Sequence, residues 1–392
     1  MIRKLKNLGH WGLSVLANFM YGFPGRKLTV IGVTGTDGKT TTSSLIYHIL
    51  NQAGHKAAMI TTVGAYIDGK TLSTGFHVTT PSAFATQKFL KAAVKSNHEF
   101  AVIETSSHGI DQNRIWGIPY KVGVITNITH EHLDYHKTFD AYSQTKFKFL
   151  KSAKIAVVNI DDENVRKQIG VLRKKVVTYS RSAEADVSLQ KFPHESSLFG
   201  SFNQSNALAA IAACKEVGIS DDQIRAGLKS FKAPLGRQDL VWNKDYKVMV
   251  DFAHTPNSIE NILKEAKATN PTRLVHLFGA PGRRDQAKRP MMGEASAKYA
   301  DVIIIAPDDP RDERVEDINN SIRKGVGDKF TLNQNLFEFS DRLKAIEFAI
   351  QQAKPGDFIV LTGKGHEPTL ALAGQEFPWN ERQIVLDTIN KP

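Results

Sequence analysis

The segment Gly35-Thr36-Asp37-Gly38-Lys39-Thr40-Thr41 combines the residue types that bind a phosphate chain. Two glycines let the backbone curl so that successive N–H groups point at one anion, and lysine and threonine add a positive charge and a hydroxyl for Mg²⁺. The upstream glycine, Gly32, lies one residue too far from Gly38 for the usual phosphate-loop spacing. A glycine turn with a solvated lysine is the alternative. The apolar run before the segment and the helical pattern after it favour a nucleoside triphosphate site.

Carboxylate and imidazole side chains follow two further strands of the same predicted sheet. Glu104 comes directly after one apolar run, and His130, His132, Asp134 and His136 follow the next. Because parallel strands end at the same edge of a sheet, we expect these side chains to gather beside Thr40. Carboxylate and hydroxyl oxygens suit Mg²⁺, whereas imidazole is a less typical ligand for it. A hydrogen-bonded loop histidine is the alternative for each histidine taken singly.

Apolar, β-branched runs alternate with helical patterns along the whole chain. Strands are predicted at 28–33, 57–62, 100–103, 122–126, 155–159, 176–179, 247–251, 274–278, 302–306 and 358–362, with a hairpin around Asp68-Gly69 and a helix near 293–299. The pattern predicts an α/β protein with a parallel-sheet domain like those of phosphate-loop ATPases, followed by a smaller Rossmann-like domain. The expected bounds are 1–26 for an amphipathic leader helix docked on the first domain, 27–233 for the central domain and 234–392 for the C-terminal domain. The segment 182–200 has no predicted structure.

The composition excludes several classes of protein. A chain of 392 residues is long enough for two or three domains. Its single cysteine, Cys214, excludes an internal disulfide framework and favours a reducing compartment, so we expect a cytoplasmic protein. No apolar run is long enough to span a bilayer. The net charge of +11 comes without a dense basic run interleaved with aromatics, so an anionic small-molecule substrate is expected rather than nucleic acid.

Further motifs, in chain order, carry a resemblance to a known family. They are Thr79-Thr80-Pro81, Glu104-Thr105-Ser106 with Gln112 and Arg114, His132-Leu133-Asp134, Asn203-Gln204-Ser205-Asn206, Gly236-Arg237, Asp251-Phe252-Ala253-His254, Asp308-Asp309-Pro310-Arg311 and Gly363-Lys364-Gly365-His366-Glu367. With the phosphate segment, they resemble the Mur ligases, and among these the members that add a diamino acid to UDP-N-acetylmuramoyl-dipeptide in peptidoglycan precursor synthesis. The resemblance implies a ligase that transfers the γ-phosphoryl group of ATP to a carboxylate. An amine then attacks the acyl phosphate.

The resemblance also implies roles for individual residues. The catalytic residues would be Lys39, Glu104, His132 and Lys146, and two Mg²⁺ ions would be held by Thr40, Glu104, His132 and Lys146. Lys146 would otherwise be an ordinary solvated helix lysine. In this family a lysine at the matching position is carbamylated by CO₂, which would make it a carboxylate-like metal ligand. Besides residues 35–41, ATP would be contacted by Asn206, Arg237, Asp251 and His254, near a basic loop with Arg283, Arg284 and Lys288.

Two substrate sites follow from the same resemblance. The muramoyl-dipeptide would be contacted by Thr79, Thr80, Ser106, Gln112 and Arg114. The amino acid would be contacted, in a cleft between the two domains, by Asp309, Arg311, Gly363 and Glu367. Asp37 stands where the family usually has Asn. Asp309 stands where the diaminopimelate-adding members of the family usually have Asn. Arg311 would pair with the distal carboxylate of diaminopimelate, whereas Asp309 would favour the ammonium of lysine, so both amino acids stay open.

Departures from the family leave alternatives open. The phosphate loop begins near residue 34, so the N-terminal domain that grips the uridine group is expected to be absent, with a partner protein or a different carrier in its place. A relative such as folylpolyglutamate synthase, acting on a different carboxylate, is one alternative, against which the motifs at 308–311 and 363–367 count. A non-catalytic ATP-binding subunit is the other, against which intact Lys39, Glu104, His132 and Lys146 count.

Overall fold

The computed structural model describes residues 2–75, 79–194, 198 and 200–391. Within these ranges the chain forms two compact units, Met1–Lys232 and Ala233–Pro392. Each unit has a sheet of its own. No helix in the described ranges is both long enough and apolar enough to cross a membrane.

The first unit is built on a sheet that has nine strands among the described residues. They are β1 (Thr29–Thr34), β2 (Ala57–Thr61), β3 (Gly64–Ile67), β4 (Lys70–Leu72), β5 (Phe100–Glu104), β6 (Tyr120–Ile125), β7 (Ile155–Asn159), β8 (Lys175–Ser180) and β9 (Val187–Ser188). Their order across the sheet is β4-β3-β2-β5-β1-β6-β7-β8-β9. The pairs β2–β3 and β3–β4 are antiparallel and the other pairs are parallel. Strand β1 therefore lies between β5 and β6, and all three end at the same edge.

Helices cover both faces of this sheet. They are α1 (Ile2–Tyr21), α2 (Lys39–Gln52), α3 (Ala83–Lys95), α4 (Ser107–Asp111), α5 (Leu133–His136), α6 (Phe139–Ser152), α7 (Glu163–Arg166), α8 (Ser201–Lys215) and α9 (Asp221–Ser230), with 3-10 turns at Pro24–Lys27 and Ile169–Val171. Successive side chains of a strand point to opposite faces. Ile31 accordingly packs in a core with α2, α8 and α9, and Val30 packs in a second core with α3 and α6.

The second unit repeats the α/β plan on a smaller scale. Its strands are β10 (Asp239–Asn243), β11 (Lys247–Asp251), β12 (Leu274–Phe278), β13 (Val302–Ile305), β14 (Leu336–Glu338), β15 (Phe358–Thr362), β16 (Thr369–Leu372) and β17 (Gln375–Pro378). Its helices are α10 (Pro256–Ala268), α11 (Lys288–Ala297), α12 (Val315–Arg323), α13 (Arg342–Gln351) and α14 (Glu381–Ile389). The main sheet has the order β10-β11-β15-β12-β13-β14, antiparallel at β10–β11 and otherwise parallel, and β16 and β17 form a separate hairpin.

The α/β fold predicted from the alternating pattern is confirmed. The hairpin predicted around Asp68-Gly69 is also present, as β3 and β4, and both turn residues have positive φ, 54° and 72°. In the segment for which no structure was predicted, β9 pairs with β8, while 195–197 and 199 lie outside the described residues. The helix predicted near 293–299 begins earlier, at Lys288. Pro290 is the third residue of this helix, and proline is tolerated in a first turn.

Candidate active site

The predicted phosphate-binding segment forms the turn between β1 and α2. Gly35 and Gly38 have φ of 150° and 78°, a backbone region that side chains other than glycine rarely adopt. The N–H groups of Thr36 and Asp37 donate to Asn127 Oδ1 at 3.1 and 2.9 Å. The turn is therefore held in shape by a side chain that follows the neighbouring strand β6.

Thr40 and Glu104 meet at the edge of the sheet. Thr40 Oγ1 donates to Glu104 Oε2 at 3.0 Å, and both side chains are buried. The carboxylate also accepts from the backbone N–H and the hydroxyl of Thr62, both at 3.2 Å. Lys39 Nζ folds back to donate to the Thr36 carbonyl oxygen at 2.7 Å. A hydroxyl and a carboxylate side by side beside a glycine turn form a donor set that suits Mg²⁺ on a phosphate chain.

Asn206, on α8, lies against the start of α2. Its Oδ1 accepts from Thr42 Oγ1 at 3.3 Å, and its Nδ2 donates to Asn203 Oδ1 at 2.9 Å. A Cβ at Gly38 would lie 2.2 Å from Asn206 Oδ1. Thr41 is buried in the first turn of α2. The structure thus brings Asn206 to the phosphate-binding turn, where only glycine leaves room for it.

Lys146 is buried in α6. Its Nζ lies 4.5 Å from the centre of the Tyr142 ring, and among the described residues no carboxylate lies within ion-pair distance of it. Burial lowers the pKa of Lys146 well below its ordinary value, and the positive charge of Lys39 lowers it further. Three carboxylates act in the opposite direction, those of Asp37, Glu131 and Asp162. Burial therefore shifts Lys146 towards its neutral amine relative to an exposed lysine.

Tyr142 connects three of the predicted site residues. Its hydroxyl lies 3.0 Å from Thr36 Oγ1, and its ring lies under Lys146 and 6.3 Å from the ring of His132. His132 itself precedes α5 with a φ of 56°, and its ring lies 4.7 Å from that of His108. The loops after β1 and β6 and the helix α6 thus form one continuous group of side chains.

Four of the five residues predicted to bind the muramoyl-dipeptide form one hydrogen-bonded group. Ser106 N–H donates to Thr80 Oγ1 at 2.8 Å, and Arg114 Nη1 donates to the Thr80 carbonyl oxygen at 2.7 Å. Arg114 Nε and Nη2 also donate to Gln112 Oε1, at 2.9 and 2.6 Å. The fifth residue, Thr79, precedes Thr80 and is half-buried. Thr80 Oγ1 in turn donates to the backbone carbonyl of Glu104 at 3.2 Å, so this group adjoins the phosphate-binding turn.

In the second unit, Arg237, Asp251 and His254 come together around Phe252. The Arg237 guanidinium lies 4.5 Å from the centre of the Phe252 ring, and His254 Nδ1 lies 2.8 Å from the Phe252 carbonyl oxygen. Asp251, at the end of β11, accepts from the N–H of Gln238 at 2.7 Å. The three residues predicted to contact the nucleotide from this unit therefore share one local structure.

Two of the basic residues expected in one loop near these residues, Arg283 and Lys288, have different surroundings in the structure. Lys288 begins α11, is buried, and donates to the His254 carbonyl oxygen at 3.1 Å. Arg283 is exposed and pairs with Asp312, with Nε 2.7 Å from Oδ1. Lys288 thus supports His254, whereas the charge of Arg283 is compensated at the surface.

A buried lysine lies between the two acidic residues predicted to bind the amino acid. Lys364 Nζ donates to Asp309 Oδ1 at 2.8 Å and to Glu367 Oε2 at 2.6 Å, and its side chain is fully buried. One oxygen each of Asp308, Asp309 and Glu367 lie within 4.8 Å of one another. Both predicted carboxylates therefore already interact with an ammonium group of the protein.

Arg311 and Gly363 complete the predicted amino-acid site. The backbone of Arg311 is tied to the β16–β17 hairpin, donating to the Ala371 carbonyl and accepting from the Gly374 N–H, both at 3.1 Å. Its side chain is half-buried. A Cβ at Gly363, whose φ is 110°, would lie 2.6 Å from Asp308 Oδ2. The loops after β13 and β15 thus meet, with Arg311 at the hairpin.

The buried carboxyl of Asp308 gives a stability prediction. Burial raises its pKa from 3.8 to about 7, an effect that Lys364 opposes and Asp309 reinforces. The folded chain then holds a proton that the unfolded chain has released, so the free energy of unfolding should fall as the pH rises from about 4 to about 7. Asp308→Asn should flatten this slope, whereas Asp328→Asn, at an exposed site, should not. Urea unfolding at a series of pH values measures both, and equal slopes in the wild type and Asp308→Asn would contradict the assignment.

Two family models match the chain. The Mur ligase middle domain matches residues 33–214, and the Mur ligase, glutamate ligase domain matches residues 236–365. Together they cover well over half of the sequence. The chain belongs to the Mur ligase family.

Named relatives of this Mur ligase agree with the family assignment. One relative is the UDP-N-acetylmuramoyl-L-alanyl-D-glutamate–2,6-diaminopimelate ligase 1 of Clostridium acetobutylicum. It is 34% identical over an alignment 408 residues long, gaps included, that covers 98% of this chain and 82% of that protein. The UDP-N-acetylmuramyl-tripeptide synthetase of Deinococcus radiodurans is 37% identical over 391 residues, covering 94% and 79%. A solved UDP-N-acetylmuramoyl-L-alanyl-D-glutamate–2,6-diaminopimelate ligase has 31% identity and a TM-score of 0.62, covering 93% of this chain and 78% of that one. The resemblance read from the motifs is confirmed at the level of the family.

Three side chains of the candidate site were not assigned a role from the sequence. Tyr142 precedes Lys146 by four residues and so shares its helix face, a signal that was available. Asn127 follows β6 at the edge where the other site residues lie. Lys364 lies inside the motif Gly363-Lys364-Gly365-His366-Glu367. Its pairing with Asp309 spans 55 positions, so no local sequence pattern predicts it.

Proposed function

We propose that this Mur ligase joins a carboxylate of a muramoyl-dipeptide to a diamino acid, with ATP as the energy source and an acyl phosphate as the intermediate. The observation that carries the proposal is the contact of Thr40 with Glu104 beside the glycine turn. The printed names of the relatives support the class of both substrates. Nucleotide and amino-acid substrates fit the cytoplasmic location expected from the composition, which stays a prediction.

Binding of ATP and Mg²⁺ fits the residues at the turn. Lys39 and the start of α2 provide positive charge for the phosphates, and four residues would hold the metal: Thr40, Glu104, His132 and carbamylated Lys146. Bound Mg²⁺ would compensate charge as a carboxylate oxygen approaches the γ-phosphorus. Both reactants are anions, so positive charge and correct positioning are the main catalytic requirements.

Carbamylation of Lys146 is the finer part of this proposal. Burial of an ammonium group with no carboxylate of the described residues at ion-pair distance is costly, which shifts the side chain towards the neutral amine that reacts with CO₂. The new N–C bond and the loss of a proton give a carbamate anion, which offers oxygens where the unmodified side chain has none. The position of Lys146 on the Tyr142 ring, next to the phosphate-binding turn, supports a metal-ligand role.

The acceptor and the amino acid would bind on separate loops. The group of Thr80, Ser106, Gln112 and Arg114 presents hydroxyl, amide and guanidinium groups to a peptide carboxylate, and its link to Glu104 supports a place beside the phosphates. A partner protein that holds the uridine group stays a prediction. A comparison of the ligase activity on acceptors with and without the uridine diphosphate group tests this prediction.

The decisive experiment is phosphate release from ATP with acceptors and amino acids supplied singly and together. We expect phosphate release to require a muramoyl-dipeptide acceptor together with diaminopimelate or lysine. The mass of the product should equal that of the acceptor plus one amino acid minus water, as one new amide bond requires. Release with a folate-type acceptor and glutamate instead would favour the folylpolyglutamate alternative. Nucleotide binding without turnover on any pair would favour a non-catalytic subunit.

Arg311 gives a prediction about which amino acid is used. Its guanidinium offers a bidentate fork to a carboxylate, and diaminopimelate carries a distal carboxylate that lysine lacks. Arg311→Ala should therefore lower kcat/KM for diaminopimelate about 10²-fold or more relative to that for lysine. Parallel kinetics with the two amino acids measure the ratio.

Arg314→Ala is the matched control for Arg311→Ala. Arg314 carries the same charge three positions later, and 76% of its side chain is exposed. This variant should leave the ratio of the two amino acids unchanged. If Arg311→Ala lowers both activities equally, or neither, Arg311 does not recognise the distal carboxylate.

A further inference from the structure

The N-terminal helix α1 docks on the first unit through polar side chains. Ser14 Oγ donates to the Asn113 carbonyl oxygen at 2.8 Å, and Asn18 Nδ2 donates to the Trp116 carbonyl oxygen, also at 2.8 Å. Ser14, Ala17 and Asn18 are all buried. The helix thus packs on the first unit through a side that is not its apolar side.

The opposite side of α1 exposes its large apolar residues. The exposed fractions are 62% for Leu8, 52% for Leu13, 56% for Leu16, 68% for Phe19 and 70% for Met20. At 100° per residue these five positions span an arc of about 140°. With Trp11, six of the fourteen exposed large apolar side chains among the described residues lie on this one helix. Such a concentration is typical of an interaction surface rather than of scattered surface residues.

Within the segment that carries this apolar face, all the charged side chains have the same sign, although Asp111 of the first unit accepts from Asn7 on the docked side. The segment 1–27 contains Arg3, Lys4, Lys6, Arg26 and Lys27 and has no aspartate or glutamate. Lys6, Arg26 and Lys27 are exposed. Two copies of this segment would repel each other, whereas an anionic surface would attract both ends of the helix.

We propose that the apolar face of α1 (Leu8, Leu13, Leu16, Phe19 and Met20) docks on an anionic lipid bilayer, with the helix lying in the plane of the interface. A helix with a wide apolar face, an aromatic residue and basic flanks has the features of an interfacial helix. The hydrogen bonds of Ser14 and Asn18 leave the apolar face free to enter the lipid while the first unit stays attached behind it. This inference is independent of the proposed ligase activity.

Co-sedimentation of the full chain with vesicles tests the proposal. We expect binding to vesicles of equal parts phosphatidylcholine and phosphatidylglycerol, weaker binding to phosphatidylcholine alone, and weakening by added salt. The double variant Leu16→Ser with Phe19→Ser should lower the partition coefficient about tenfold or more, because two exposed apolar side chains no longer enter the lipid.

Val171→Ser with Leu332→Ser is the matched control, since both of these apolar side chains are exposed elsewhere, at 47% and 43%. The control should bind vesicles like the wild type, and both double variants should keep the circular dichroism of the wild type. Failure of the wild type to bind the anionic vesicles overturns the proposal, as does unchanged binding of the α1 variant. A dimer of the wild type that the α1 substitutions dissociate, without vesicle binding, would assign the face to a second copy instead.

Discussion

Replacement of Lys39 by alanine is expected to abolish ATP-dependent amide formation while the chain stays folded. Lys39 is the first residue of α2, directly after the glycine turn, and its Nζ reaches back to the Thr36 carbonyl oxygen. The ammonium is thus held over the turn in which the β- and γ-phosphates would bind. Without this charge, the negative charge that develops during phosphoryl transfer loses a preorganised partner, and we expect kcat to fall about 10³-fold.

The measurement for Lys39→Ala is phosphate release with acceptor and amino acid at saturation. Lys88→Ala is the matched control, because Lys88 is an exposed lysine on α3 of the same unit and alanine suits a helix. The control should keep full activity, and both variants should give the same circular dichroism as the wild type. Ligation at the wild-type rate by Lys39→Ala would remove this turn from the catalytic site.

Replacement of Lys146 by alanine is expected to inactivate the ligase to a similar extent, through a different cause. The side chain is buried, and its neutral amine is favoured by that burial. In our proposal this amine carries a carbamate that ligates Mg²⁺, so alanine removes one metal ligand and leaves a cavity. We expect loss of turnover of about 10²-fold or more and partial recovery with formate or acetate, because a small carboxylate would occupy the vacated position.

Lys148→Ala is the matched control for Lys146→Ala, since Lys148 lies on the same helix with its side chain exposed. Carbon NMR after incubation with isotope-labelled CO₂ reports the carbamate directly. The signal should be present in the wild type and in Lys148→Ala and absent in Lys146→Ala. Full activity of Lys146→Ala, or a carbamate signal that survives the substitution, would contradict the assignment.

Much of the fold could be predicted from local sequence pattern. The strands flanking the site, β1, β5 and β6, are short β-branched runs, and they were found close to their true bounds because all three are buried on both faces. The predicted start of α11 was too late, and Pro290 lies in its first turn, where proline is tolerated. The approach of Glu104 to Thr40 also followed from topology, since parallel strands that flank β1 deliver their next residues to the same edge.

The sequence by itself determined the α/β plan, the glycine turn between β1 and α2 and membership of the Mur ligase family, because each of these follows from short contiguous motifs. Only the tertiary structure decided what surrounds the motif residues. Tyr142 reaches Thr36 across 106 positions, and Lys364 reaches Asp309 across 55. The same holds for α1, which was expected to be an amphipathic helix docked on the first domain, and whose apolar face points outward. Periodicity shows that a helix has two unlike sides, whereas the hydrogen-bond partners that distant loops offer to Ser14 and Asn18 decide which side is buried.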